Sequence, residues 1–110
     1  MKISNLAQSV KHRKNPFSKA KGLMFTKYKD RADIFHFEEE KIEVLHMLFV
    51  FRPIDVLFLN KKKEIVEIKE FLGPFKFYKP EKKAKYIVEL PSGRIKEKKL
   101  RQGMKIEFQP

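Results

Sequence analysis

His36, His46, Asp33 and Asp55 are the side chains whose types and spacing could do chemistry, since imidazoles and carboxylates brought together can hold a divalent metal or relay a proton. As a metal site they match no ligand spacing, and a histidine on a strand is more often a hydrogen-bonded core or rim residue. No metal and no cofactor are expected. Asp55 follows Pro53 and Ile54 in an apolar stretch, so its carboxylate must find hydrogen bonds or a cation, or become neutral. It then either serves as a base or ligand-orienting group, or simply receives backbone N–H groups or pairs with Arg52 or a lysine. No serine stands in a strained elbow and no triad order emerges. The absence of Cys removes disulfides, thiolate nucleophiles and sulfur-ligated zinc.

A different chemistry is written in "FKFYKPEKKAKY", residues 75 to 86, where four aromatics interleave with five lysines. Phe75, Lys76, Phe77, Tyr78, Lys79, Lys82 and Lys83 have the composition of a single-strand binder, with rings to stack on bases and ammonium groups to neutralise phosphates. A plain strand accounts for the same pattern, with Phe75 and Phe77 in the core and Lys76 in water. "PSGR", residues 91 to 94, offers backbone donors to an anion or is a turn.

Twenty-six basic and fourteen acidic residues leave a net charge of +12, which makes nucleic acid or another acidic partner plausible. The ends are positive and the middle, residues 32 to 60, is negative. Lys outnumbers Arg 21 to 5 and Glu outnumbers Asp 11 to 3, a thermophile-like composition that would serve surface ion-pair networks. Residues 42 to 59 are apolar enough to raise a membrane span. Glu43, Arg52 and Asp55 would cost roughly 8 to 10 kcal/mol there against roughly 4 to 7 recovered, so no membrane partner is expected. "MKISNLAQSV" lacks the apolar run of a signal peptide, which predicts a mature N-terminus and a cytoplasmic location.

One domain over residues 1 to 110 is the expectation for this length. Leu6 to Val10 reads as a first strand followed by a basic loop around "KHRKN". Asn15 as N-cap and Pro16 at the first helical position predict a helix through "NPFSKAKGLM". Gly22 within it costs about 1 kcal/mol relative to Ala. It is expected to let that helix approach the sheet, with Leu23 and Met24 filling the space beneath. From residue 32 the apolar period becomes two, and "VLHMLFVF" reads as a central strand covered on both faces. Pro53 marks a bulge or strand edge. "IDVLFL" and "EIVEIKE" flank the hairpin loop "NKKK", "EEEK" reads as a solvated turn, and "AKYIVEL" and "MKIEF" as further strands. A short helix fits before the last of these. The fold class is mainly β (α+β).

"KGLMF", "LHMLFVFRPIDVLFLN", "AKYIVELPSG" and "GMKIEF" closely resemble domain of unknown function 192, also called uncharacterised protein family 0127, from about Asn15 onward. Bacterial relatives carry Trp-Met-Lys-Asn-Thr before Pro-Leu-Asp-Val. Here His46, Met47, Leu48, Phe49 and Val50 precede Pro53, Ile54, Asp55 and Val56, as in an archaeal branch. The resemblance implies a small β-barrel-like domain that is soluble and has no established activity. Gly22, Leu23, Met24, His46, Met47, Pro53 and Asp55 are then structural positions of the family motif. Three functions stay open: a non-enzymatic binding or interaction module, a single-stranded nucleic-acid binder, and a small enzyme or metal site using Asp55 and His46.

Overall fold

The computed structural model describes residues 1–13, 30–46, 52–73 and 76–109. A 3-10 turn, Ile3–Asn5, precedes β1 (Ser9–Arg13), β2 (Arg31–Lys41), β3 (Leu45–His46), β4 (Ile54–Leu59), β5 (Ile65–Leu72), β6 (Phe77–Tyr78), β7 (Ala84–Pro91) and the short helix α1 (Arg94–Glu97). Five strands form one sheet in the order β1-β2-β7-β4-β5, and β3 pairs with β6 in a second sheet. β1 runs parallel to β2, and the other pairings are antiparallel. The fold is mainly β. The larger sheet ends at β1 and β5 without closing, so "barrel-like" holds only loosely.

Alternation along β2, β4 and β7 sends apolar side chains to both faces of the sheet, and each face has its own core. Ile34, Leu57, Leu59, Val88 and Leu90 pack on one side with Ile3, Leu6, Ile95, Leu100, Ile106 and Phe108. Phe35, Phe37, Ile54, Val56, Phe58, Leu72 and Ile87 pack on the other. The predicted hairpin around "NKKK" is the β4–β5 pair.

Several local expectations are corrected. Leu6 and Ala7 are buried ahead of β1, after the 3-10 turn, and the expected basic loop supplies Lys11 to Arg13 to the strand. The hydrogen bonds of β2 make a strand of them. The "EEEK" turn is the end of β2. The centre of the sheet is β7; of "VLHMLFVF", the described Leu45 and His46 belong to the smaller sheet, and residues 47–51 lie outside the described residues. "MKIEF" alternates as expected but forms only the isolated bridges Lys2↔Glu107 and Glu64↔Lys105 among the described residues. Two different segments flank it, so no ladder develops along either. The helix expected from Asn15 and the positions Gly22, Leu23, Met24 and Met47 lie outside the described residues. No helix among the described residues is long and apolar enough to cross a membrane.

Asp55 is 1% exposed, and both of its oxygens are engaged. Ile54 pairs with Leu72 and Val56 with Lys69, so Glu70 and Phe71 together oppose Asp55 in a bulge. The Phe71 N–H donates to Asp55 Oδ1 at 2.9 Å, and the Ile95 N–H donates to Oδ2 at 2.9 Å. Ile95 is the second residue of α1, and the preceding Gly93, at φ +86, has no side chain to cap it. A carboxylate from β4 therefore does the capping from across the fold.

A second pair of inward carboxylates is less well served. Asp33 and Glu89 face each other across β2 and β7. Arg31 Nη2 lies 2.9 Å and Arg13 Nε 3.8 Å from Asp33 Oδ1, while Asp33 Oδ2 finds no hydrogen-bond partner among the described residues. Burial raises the Asp33 carboxyl above its ordinary range despite Arg31 and Arg13. Burial, then the charge of Asp33, push Glu89 up to about 8, with Arg13 opposing.

Asp55→Asn is expected to lower unfolding free energy by about 2 to 3 kcal/mol, because an amide nitrogen then meets one of the two N–H donors; an unchanged urea midpoint would refute the capping role. Glu89 keeps its proton in the folded chain between about pH 4.5 and 8, where the unfolded chain releases it. Its contribution to stability is fully present below that window, is lost as pH rises through it, and is constant above. Denaturation curves from pH 5 to 9 should show a decline that is reduced in Glu89→Gln.

Candidate functional site

Glu67 of β5 pairs with Phe58 across a bulge that separates it from Ile65, so it lies on the face of Phe58 and Tyr78, and it is 8% exposed. Its Oε2 accepts the Tyr78 hydroxyl, and its Oε1 accepts the N–H groups of Glu81 and Lys82, both at 2.9 Å. One carboxylate thus gathers the segment from Tyr78 to Lys82 onto β5. Tyr78 turns its ring inward, 5.8 Å between centroids from Phe58, and Lys69 Nζ lies 5.5 Å from the centre of that ring. Because neighbours in a strand alternate, Phe77 is turned outward and is 72% exposed. Burial excludes water from the Tyr78 hydroxyl, and its bond to Glu67 adds to this, so its pKa is pushed up to about 12.

Phe71 adds a second outward ring at 66% exposure. Its φ of +52° is a conformation few side chains adopt, and the bond from its N–H to Asp55 holds it there. Lys76, Lys79, Lys82 and Lys83 are all exposed. Phe71 of β5 and Phe77 of β6 are thus exposed rings, and with the exposed lysines between 76 and 83 they make up the candidate platform; Asp55 bonds the backbone N–H of the first and Glu67 holds the chain neighbour of the second.

Of the residues singled out in the sequence, Lys76, Phe77, Lys79, Lys82 and Lys83 face water, Tyr78 turns inward, and Phe75 lies outside the described residues. The core position expected for Phe77 in a plain strand is taken by Tyr78, whose hydroxyl reaches Glu67. Pro53 directly precedes β4, and His46 pairs with Phe77 in the backbone register of the smaller sheet. Asp55 is spent on backbone donors. His36 meets His12, Nε2 to Nδ1 at 2.8 Å, and among the described residues no three His, Asp or Glu converge as a metal site. Glu67 and Phe71 were not legible as site residues. A carboxylate at the buried parity of "EIVEIKE" was the available signal for Glu67, and none existed for Phe71.

Among the described residues the lysines of this surface form no ion-pair network. Sixteen lysines lie among the described residues, and of these Lys41 and Lys98 have a carboxylate within 4.0 Å, at 3.7 and 3.8 Å.

The profile of the DUF192 family, described as Uncharacterized ACR, matches residues 1–108. The UPF0127 protein of Pyrococcus furiosus is 44% identical over 64 residues, 58% of this chain and 54% of that protein. The UPF0127 protein of Thermococcus sibiricus is 38% identical over 81 residues, 72% of this chain and 52% of that protein. The chain spans about half the length of these curated relatives. A crystal structure of a protein of unknown function from Novosphingobium aromaticivorans superposes with a TM-score of 0.81 at 18% identity, over 90% of this chain and 74% of the other. That likeness is one of fold.

Phenol absorbance at high pH tests the anchor. The transition removed by Tyr78→Phe should lie near pH 12 in the native chain and move down in Glu67→Gln. An unmoved transition would mean that Glu67 does not hold this ring.

Proposed function

The chain belongs to the DUF192 family, with archaeal UPF0127 relatives, and on that premise we propose that it is a binding module without chemistry of its own, whose platform takes single-stranded nucleic acid. One observation carries the reading: Phe71 and Phe77 are exposed, and of the exposed lysines Lys76, Lys79, Lys82 and Lys83 none has a carboxylate within 4.0 Å among the described residues. Bases stack on such rings for about 1 to 3 kcal/mol each without regard to sequence, and ammonium groups replace the counterions of the phosphates. Lysine suits this task better than base-specific recognition, because it is a point charge without the planar fork that reads a guanine edge. The engagement of both Asp55 oxygens by backbone donors supports the non-enzymatic half of the proposal. A single domain over residues 1–110 in the cytoplasm completes this reading.

Fluorescence anisotropy with labelled single strands at about 50 and 200 mM salt is the test. Affinity should fall steeply with salt. Phe77→Ala should weaken binding about tenfold, corresponding to about 1.4 kcal/mol. Joint replacement of Lys79, Lys82 and Lys83 by Glu should flatten the salt dependence. Absence of binding at the lower salt would end the proposal.

A further inference from the structure

A concave surface lies where the β4–β5 turn meets the C-terminal segment. Asn60 Oδ1 accepts the N–H groups of Lys62 at 2.9 Å and Glu64 at 3.0 Å, and Lys63 takes the left-handed conformation at φ +65°. The Ile106 N–H donates to Lys63 O at 2.9 Å, and Lys105 bridges to Glu64, so the two segments are tied side by side. Between them lies a cleft of about 360 Å³ lined by Lys61, Lys62, Lys63, Lys105, Glu107 and Phe108.

The lining carries four ammonium groups against one carboxylate. Lys63 is committed: its Nζ donates to Phe108 O at 2.7 Å and lies 4.2 Å from the centre of the Phe108 ring. None of the four has a carboxylate within 4.0 Å among the described residues. The Phe108 ring is held by contacts with Tyr86 at 5.1 Å and His36 at 5.9 Å between centroids. The cleft therefore has a packed aromatic wall and a surplus of three positive charges. Its volume is at the small end of the range for organic ligand sites, about 300 to 1,000 Å³.

We propose that this cleft is an anion site for a polyphosphate group of two or three linked phosphoryl units. Three ammonium groups, Lys61 and Lys62 from the turn and Lys105 from the facing segment, approach such a chain from two sides. A lone phosphate would leave much of that charge and space unused. Glu107 disfavours a uniformly anionic filling and suits a ligand that also presents a hydroxyl or an ammonium. The proposal is independent of the aromatic platform, with which it shares no residue.

Isothermal titration with inorganic tripolyphosphate at low salt, with a nucleoside triphosphate as the second arm, tests it. One equivalent should bind, and the double variant Lys61→Glu with Lys105→Glu should weaken binding at least tenfold, while Lys79→Glu with Lys82→Glu leaves it unchanged. Equal affinity of both ligands identifies the phosphate chain as the recognised part, and tighter binding of the nucleotide identifies a nucleoside contact as well. Loss of equal size in both double variants, or no binding in the native chain, would overturn the site. Native circular dichroism of each variant establishes that a loss is local. Oligonucleotide affinity should survive in the Lys61/Lys105 variant, so the cleft and the platform fail or stand separately.

Discussion

The buried carboxylate of Asp55 is the constraint on which both candidate surfaces depend. A charged group removed from water is costly, and here two backbone N–H donors from different elements meet its oxygens. One donor belongs to the bulge that turns Phe71 outward. The other starts α1, whose Ile95 packs into the same core as Leu100, Ile106 and Phe108, on the way to the lysine cleft. A single side chain on β4 thus couples the conformation of β5 to the path of the C-terminal segment.

Glu67 repeats the device on the neighbouring strand. It accepts three donors from the segment that carries Tyr78, Glu81 and Lys82, so an irregular stretch gains a defined position without a ladder of its own. Asp33 and Glu89 show the contrasting case. Arg31 serves one oxygen of Asp33, the other stays unsatisfied among the described residues, and burial favours a proton on Glu89. The same low-dielectric setting that strengthens a fully bonded carboxylate makes an under-bonded one sensitive to pH.

The basic surface follows a different logic from the interior. Among the described residues Glu43 and Glu97 lie beside Lys41 and Lys98, whereas Glu67 and Glu89 point inward and Glu64 binds Asn60. Fourteen of the sixteen described lysines have no carboxylate within 4.0 Å among the described residues. In the proposed reading, such charge would attract polyanions over a Debye length, and exposed rings would supply contact that charge alone lacks.

What the sequence by itself determined was local. The all-apolar run "IDVLFL", the polar loop after it and the alternation of "AKYIVEL" specify β4, its hairpin with β5 and the buried β7, because a strand's period and a turn's composition are written in adjacent residues. The ring-and-lysine pattern near residues 75 to 83 was likewise visible, but not which ring would face water. That choice rests on the Tyr78 hydroxyl finding Glu67, eleven residues away in the chain. The partners of Asp55, the bridged course of residues 104 to 108, and the cleft joining Lys61 to Lys105 were set only by tertiary structure. Hydrogen bonds and charge convergence between distant segments leave no periodicity in the sequence, so only the folded chain brings them together.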